Sequence, residues 1–356
     1  MSYVLDIQKV ILEIEDTLKV ADRLQLIKKA IQIADIHNDI DWGFDLRLLL
    51  INTENFTSRS VLSYPAFSWI LDINDANKGY FDENDFMYEY KWMFAISYGS
   101  YSISKEQFMH IGEDFHQRLL NNGYSSRGYY QIMGIWYQHL REYKKASDII
   151  AKMEQCSLDE MSNNLLFETA LKANNLLACK KYDEAYVVAQ DLFHNRFEYV
   201  NTAFEAYVLF AFEFYKVKDE RFQEYFDLAT NHIISYDEDD CITHIRARIL
   251  YMYLLYKYGD EKCWDYFEEI CVYEHEAEDF YSFFFVKYAT CLLQEKGQRH
   301  FNFPSYLPYY NEKGIYDLEE LYQHFKARAY HYATSFDKRN ENSNFVKELN
   351  ELLAID

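Results

Sequence analysis

The sequence predicts an all-α fold, a right-handed α-α superhelix of helical hairpins with an atypical C-terminal cap. Three observations predict it. The first is a repeated register. Tyr143, Tyr182, Phe222 and Trp264 follow one another at offsets of 39, 40 and 42 residues. Three positions after each stand Ala146, Ala185, Tyr225 and Phe267, then Ile149, Val188, Leu228 and Ile270, and directly after those Ile150, Ala189, Ala229 and Cys271. Apolar residues at i, i+3, i+6 and i+7 mark one helix face, and a period near 40 marks stacked helical repeats. The second is the scarcity of turn formers, with 3 Pro and 10 Gly in 356 residues, which argues against a sheet fold rich in tight turns. The third is the spread of helix signals beyond the register.

Those signals run in order along the chain. Leu24, Ile27, Ile31 and Ala34 make one face, and Ala30 and Ala34 allow close helix contact. His37-Asn38-Asp39 is a turn, after which Phe44, Leu46, Leu48 and Leu49 resume a helix. A further helix is expected from Ser58 to Asp72, interrupted or kinked by Pro65. A loop follows from Asn74 to Gly79, and helix resumes near Glu83 with Phe86, Tyr90, Met93 and Phe94, stopping at Gly99. Ser104 and Gln107 read as a capping box opening a helix that ends at Asn121-Asn122-Gly123. Phe280–Leu293 is apolar nearly all round and should be buried on several sides. Gly297–Gly314, with Phe301, Phe303, Tyr306, Tyr309 and Tyr310, is a long connection, and helices near Leu318–Ser335 and Asn344–Leu353 close the chain. We therefore assign 1–296 to the repeat array and 297–356 to an aromatic loop with capping helices, since terminal repeats must cover an open stack end.

Composition narrows the partners. With 58 acidic and 36 basic residues the formal net charge is −22. Such a surface repels phosphate backbones and anionic lipid headgroups, so neither nucleic acid nor membrane is an expected partner. The first residues lack the basic start and unbroken apolar run of a signal peptide, and no apolar run is long enough to span a bilayer. Six cysteines without a C-x-x-C pair fit a reducing compartment, and the expected location is the cytoplasm.

The units from Arg127 to Phe193 resemble tetratricopeptide repeats. Gly134 stands where that family keeps a small residue in its first helix, Tyr137 is the following aromatic, and Tyr143-x-x-Ala146 matches the turn into the second helix. Ala173 and Tyr182-x-x-Ala185 repeat the arrangement, and Ala30–Leu48 is similar to a junction between two such repeats. The period here exceeds the family's 34 residues, and the units led by Phe222 and Trp264 lack the small-residue signature. The run Phe81–Met93 also resembles segments of uncharacterised bacterial helical-repeat proteins. The resemblance implies a concave groove lined by first helices, in which Gln131, Gln138 and Asn174 would face a bound peptide and pair with its backbone. The family's basic clamp for a peptide carboxylate is not evident.

Local chemistry is sparse. Asp72, Asn74 and Glu83 mimic part of a calcium loop, but Ala76 and Asn77 stand where a ligand and a glycine are needed. His110, Glu113, Asp114 and His116 lie close in sequence, though His116 points away from the others on an ideal helix. Asp237–Asp240 reads as a loop of acids preceding a helix. No nucleophile elbow, phosphate loop or cofactor motif is visible. The expected function is a noncatalytic scaffold holding a peptide or protein segment. Alternatives are an enzyme whose site is assembled from distant residues, a peptide-sensing regulator, and an assembly subunit that inserts the aromatic loop of 297–314.

Overall fold

A computed structural model describes residues 2–55, 57, 59–194, 202–233 and 244–354. The expected loop of acids at 237–240, the cysteine at 241 and the expected helix start at Ser58 lie outside the described residues. Two compact units divide the chain: Met1–Ser97 with Phe108–Ser126, and Tyr98–Gln107 with Arg127–Asp356.

The first unit contains α1 (Ser2–Asp16), α2 (Val20–Ile36), α3 (Ile40–Glu54), α4 (Ser63–Ala76), α5 (Met87–Ser97) and most of α6 (Lys105–Asn121). Asp39 caps α3 by accepting from the Trp42 amide at 3.1 Å. The helix expected from Ser58 begins instead at Ser63. Buried Glu54 accepts from the Leu62 amide at 2.9 Å and from the Ser63 amide and hydroxyl at 2.6 Å each, so a residue of α3 caps α4. Pro65 then lies in the first turn, where a missing N–H costs nothing, and it does not interrupt the helix. The capping box at the start of α6 forms as read: the Ser104 amide donates to Gln107 at 2.8 Å and the Gln107 amide to Ser104 at 3.1 Å.

The second unit runs through α7 (Arg127–His139), α8 (Tyr143–Gln155), α9 (Leu165–Ala178), α10 (Tyr182–Val188), α11 (Gln190–Phe193), α12 (Thr202–Val217), α13 (Phe222–Ile233), α14 (Ile245–Tyr258), α15 (Lys262–Ile270), α16 (Tyr273–Glu276) and α17 (Asp279–Leu292). Then come β1 (Gln298–His300), β2 (Ile315–Asp317), α18 (Leu318–Asn340) and α19 (Asn344–Ala354). The repeated register falls at the starts of α8, α10, α13 and α15. Its third and seventh positions after the lead aromatic are buried in all four. The turns before these helices share one geometry. Arg141, Lys180, Lys218 and Gly259 are left-handed, and the next amide bonds the carbonyl five residues back, as Glu142 to Tyr137 and Lys181 to Leu176 at 2.9 Å.

Two expectations change. The connection after 297 is not wholly irregular: β1 and β2 pair antiparallel, with Arg299 opposite Tyr316, adding a two-stranded ribbon to what is otherwise helical among the described residues. Phe301, Phe303 and Leu307 of its loop enter the core, where the Phe301 and Phe303 rings stack at 4.8 Å beside Phe267, while Tyr306 and Tyr310 stay exposed. The compact units accordingly do not divide at 297. Nor do contacts stay between neighbours, as a simple stack requires. Arg339 of α18 donates to the carbonyls of Tyr98 at 2.9 Å and Ser100 at 3.1 Å, and Asn344 of α19 to Leu140 O at 2.9 Å. Glu348 of α19 accepts from Arg141 at 2.5 Å and from the fully buried Lys287 at 2.6 Å. Burial opposes the Glu348 charge, yet the two cations outweigh it and hold the carboxyl well below its usual range.

Candidate functional site

The residue pairs that mimic ion sites in the sequence are staples. Arg118 of α6 donates to Asp75 at 2.9 Å, to Asp114 at 2.9 Å and to Glu83. Glu83 also accepts from Asn122 at 2.8 Å and from Asn74 at 3.3 Å. A guanidinium thus takes the place a cation would need beside Asn74 and Glu83. His116 bonds Ser126 at 2.7 Å, away from Asp114. Among the described residues no three or more His, Cys, Asp or Glu are arranged to hold a metal ion, and no helix is long and apolar enough to cross a membrane. Cys263 and Cys271 are buried free thiols, and burial pushes each up to about 12, so neither is a poised nucleophile.

The three amides expected to face a groove separate. Gln131 is 1% exposed and lies inside the unit. Gln138 donates to Leu171 O at 2.8 Å. The cause is helical geometry: Arg127, Gln131, Gly134 and Gln138 share the stripe of α7 that packs toward α9. Arg127 pairs there with buried Glu168 at 2.6 Å, and a Cβ at Gly134 would come within 3.1 Å of Leu171. Gln131 and Gln138 therefore do not face a groove. Asn174 does face an opening, and its side chain makes no hydrogen bond to the described residues.

That opening is a cavity of about 180 Å³ between α9, α12 and α17. Leu166, Ala170, Asn174 and Leu177 form its α9 wall at helical spacing, and Glu205, Ala206 and Leu209 its α12 wall. Ala170 and Ala206 leave the space that larger side chains would fill. Half-exposed Phe167 stands at the rim. Two polar groups besides Asn174 matter. Glu205 is partly exposed, with the His244 ring at 3.8 Å. Tyr281 of α17 keeps its proton, because burial and then the Glu205 charge raise its pKa. The cavity is thus apolar within and edged by an amide, a carboxylate and a phenol.

A second gathering of polar groups was not legible in the sequence. Glu274 of α16 is fully buried and accepts from His324 Nε2 at 2.6 Å and Arg328 Nε at 3.2 Å, with His275 Nε2 at 3.6 Å. Tyr309 packs on the His324 ring at 5.0 Å, and Tyr306 bonds Glu276. The only local signal is His324 and Arg328, four apart on one helix face. Their carboxylate lies fifty residues earlier.

Neither site can be assigned by kinship: the chain matches no protein-family model, no curated protein and no solved structure.

Proposed function

We propose that the chain is a noncatalytic interaction module whose second unit holds an extended segment of a partner protein. The hairpins from Arg127 to Cys271 would form tetratricopeptide-like repeats of an α-α superhelix, and the repeated register is what supports that reading. The segment would seat one apolar side chain between α9, α12 and α17. A volume of about 180 Å³ suits one side chain rather than a whole small molecule, whose sites start near ~300 Å³. The observation that carries the reading is the Asn174 amide, exposed to the cavity and bonded to nothing in the described fold. It offers both a donor and an acceptor to a peptide backbone. Glu205 at the rim, in a chain of net charge −22, selects a basic residue beside the apolar anchor.

A random-peptide display selection against the purified chain tests this. Selected peptides should pair a large apolar residue with a nearby Lys or Arg. Asn174→Ala should weaken the best peptide about tenfold, or ~1.4 kcal/mol, and Ala206→Phe should abolish binding by filling the cavity, with circular dichroism unchanged. Peptides that bind both variants as tightly as the parent would place the interface elsewhere and end the proposal.

A further inference from the structure

Arg246 of α14 is a cation without a counter-ion. It is partly exposed, its guanidinium lies 5.9 Å over the Phe284 ring, and it makes no hydrogen bond or ion pair among the described residues. Four tyrosines surround its charge: Tyr98 from the stretch before α6, Tyr143 at the start of α8, and Tyr281 and Tyr288 of α17. Burial raises the pKa of all four, and Arg246 works against that rise in each. Tyr98 and Tyr281 bond one another. The hydroxyls of Tyr143 and Tyr288 make no hydrogen bond among the described residues, although Tyr288 is only 3% exposed. Arg246 and Tyr143 are both partly exposed, so the group is open to solvent on their side.

We propose that Arg246, with the Tyr143 and Tyr288 hydroxyls, binds an acidic side chain, Asp or Glu, of the same partner segment whose apolar residue fills the cavity. The site rests on the reading of that cavity as the seat of a partner's side chain. A guanidinium meets a carboxylate with two parallel hydrogen bonds, and each phenol adds a neutral donor. The acids nearby do not compete. Glu348 is held by Arg141 and Lys287, two cations to one carboxylate, and Glu213 by Lys216 at 3.0 Å. Local charge is therefore positive in a chain of net charge −22. Glu205 and Arg246 both act on Tyr281 but do not pair with each other. A segment crossing them meets a carboxylate and then a cation, and should answer with a basic and then an acidic residue. Spacing follows from α17. Tyr281 edges the cavity, Phe284 under Arg246 lies three residues further on, and Tyr288 seven. At ~1.5 Å per residue that is roughly 5–10 Å, which an extended segment covers in two or three residues of ~3.3 Å.

The test has two arms, both on the whole chain. Peptides from the display selection should carry Asp or Glu two or three positions from the apolar residue. Changing that acid to its amide should weaken binding to the parent about tenfold and leave binding to Arg246→Gln unchanged. Arg246 makes no polar bond in the described fold, so the variant should melt as the parent does. The second arm needs no peptide. N-acetylglutamate amide and N-acetylglutamine amide are titrated while arginine Nε–H resonances are followed by NMR, the Arg246 signal being the one missing from Arg246→Gln. The glutamate should shift that signal saturably and the glutamine should not. A saturable glutamate shift with no selectable peptide would keep the carboxylate site and end the cavity reading instead. Peptides that bind parent and Arg246→Gln equally, yet are lost on Ala206→Phe, would overturn the Arg246 site and leave the cavity reading standing. Binding that needs a free peptide C-terminus and ignores the acidic side chain would overturn it as well.

Discussion

Arg118 in the first unit and Arg339 in the second are the same guanidinium in opposite surroundings. Arg118 meets three carboxylates, those of Asp75, Glu83 and Asp114. Burial works against its charge, but the acids win and raise its pKa. Among the described residues Arg339 meets no carboxylate at hydrogen-bonding distance. It donates to the carbonyls of Tyr98, Ser100 and Ile103 and to His139 Nε2 at 2.9 Å, and it lies over Trp136 at 4.9 Å. Burial lowers it to about 10, with Asp279 only partly opposing. One arginine neutralises charge at a half-wet surface. The other supplies charge to neutral dipoles inside a ring of aromatics. The difference teaches that a buried cation can hold a fold through carbonyls and a neutral imidazole, without a carboxylate at hydrogen-bonding distance among the described residues.

The largest effect should follow from removing Arg339. Arg339→Met would leave three carbonyls and a histidine nitrogen to find new partners, and would release 98–103 from α18. We expect a loss of about 3–5 kcal/mol, the range for breaking a buried charged network. Arg118→Met should cost less, about 1–3 kcal/mol, because Asp75 and Asp114 keep 56% and 46% of their side chains exposed and water can take over. Urea denaturation of the full chain measures both. An Arg118 variant that lost more than the Arg339 variant would reverse the comparison. Salt sharpens it further: raising ionic strength should shrink the Arg118 effect and leave that of Arg339 nearly unchanged.

Next in size is a dependence on pH. His139 must accept from Arg339 through Nε2, so it is neutral in the fold. Burial, then the charge of Arg339, pushes its pKa well below the usual value. The unfolded chain therefore binds the proton first. Stability from this group is complete above the unfolded value, about 6.5, and declines as pH falls below it toward the lower folded value. Unfolding free energies should drop between neutral pH and about pH 5.5, and His139→Gln should show a shallower decline. An unchanged slope in that variant would mean the acid sensitivity comes from elsewhere. Glu348 acts at lower pH. Its folded pKa is depressed, so its contribution is lost only as pH falls below the ordinary glutamate value, about 4.3.

Much of the helical layout was legible because it is local. Ser104 and Gln107 sit three residues apart and cap as read, and the register at Tyr143, Tyr182, Phe222 and Trp264 marks helix starts because burial at 3 and 7 recurs. What stayed hidden depends on distant residues. Glu54 decides where α4 begins, yet nothing near Ser63 announces a cap supplied from the preceding helix. The candidate cavity shows the same limit. Asn174 lines the cavity from one helix face, but Glu205 and Tyr281 join it only through packing. Gln131 and Gln138 were misplaced because an amide on a helix looks the same from either side. Only the neighbouring stripe, Arg127 and Gly134, tells that this face is inside. Glu274 had no signal near it, and His324 had only its four-residue spacing from Arg328.

The smallest expected effect concerns the turns that the two units share. Asn38 in the first unit adopts φ +50°, and Arg141, Lys180 and Lys218 in the second adopt +65°, +60° and +55°. Each closes with an amide bonded five residues back, as Asp39 to Ala34 at 3.0 Å and Lys181 to Leu176 at 2.9 Å. Gly123 and Gly259 fill the same position in the turns after α6 and α14, at +81°. A side chain with a Cβ costs about 1–2 kcal/mol in this conformation, whereas glycine enters it freely but gives up about 0.5–1 kcal/mol of chain entropy on folding. Lys180 is exposed and makes no side-chain bond in the described fold, so Lys180→Gly isolates the backbone term. It should stabilise the chain by about 0.5 kcal/mol. Arg141→Gly should do the reverse, because it also removes the donor that α19 uses through Glu348. If both substitutions raised the midpoint in urea, the Arg141–Glu348 contact would contribute less than the backbone strain it overcomes, and the docking of α19 would rest on Phe345 and its aromatic neighbours instead.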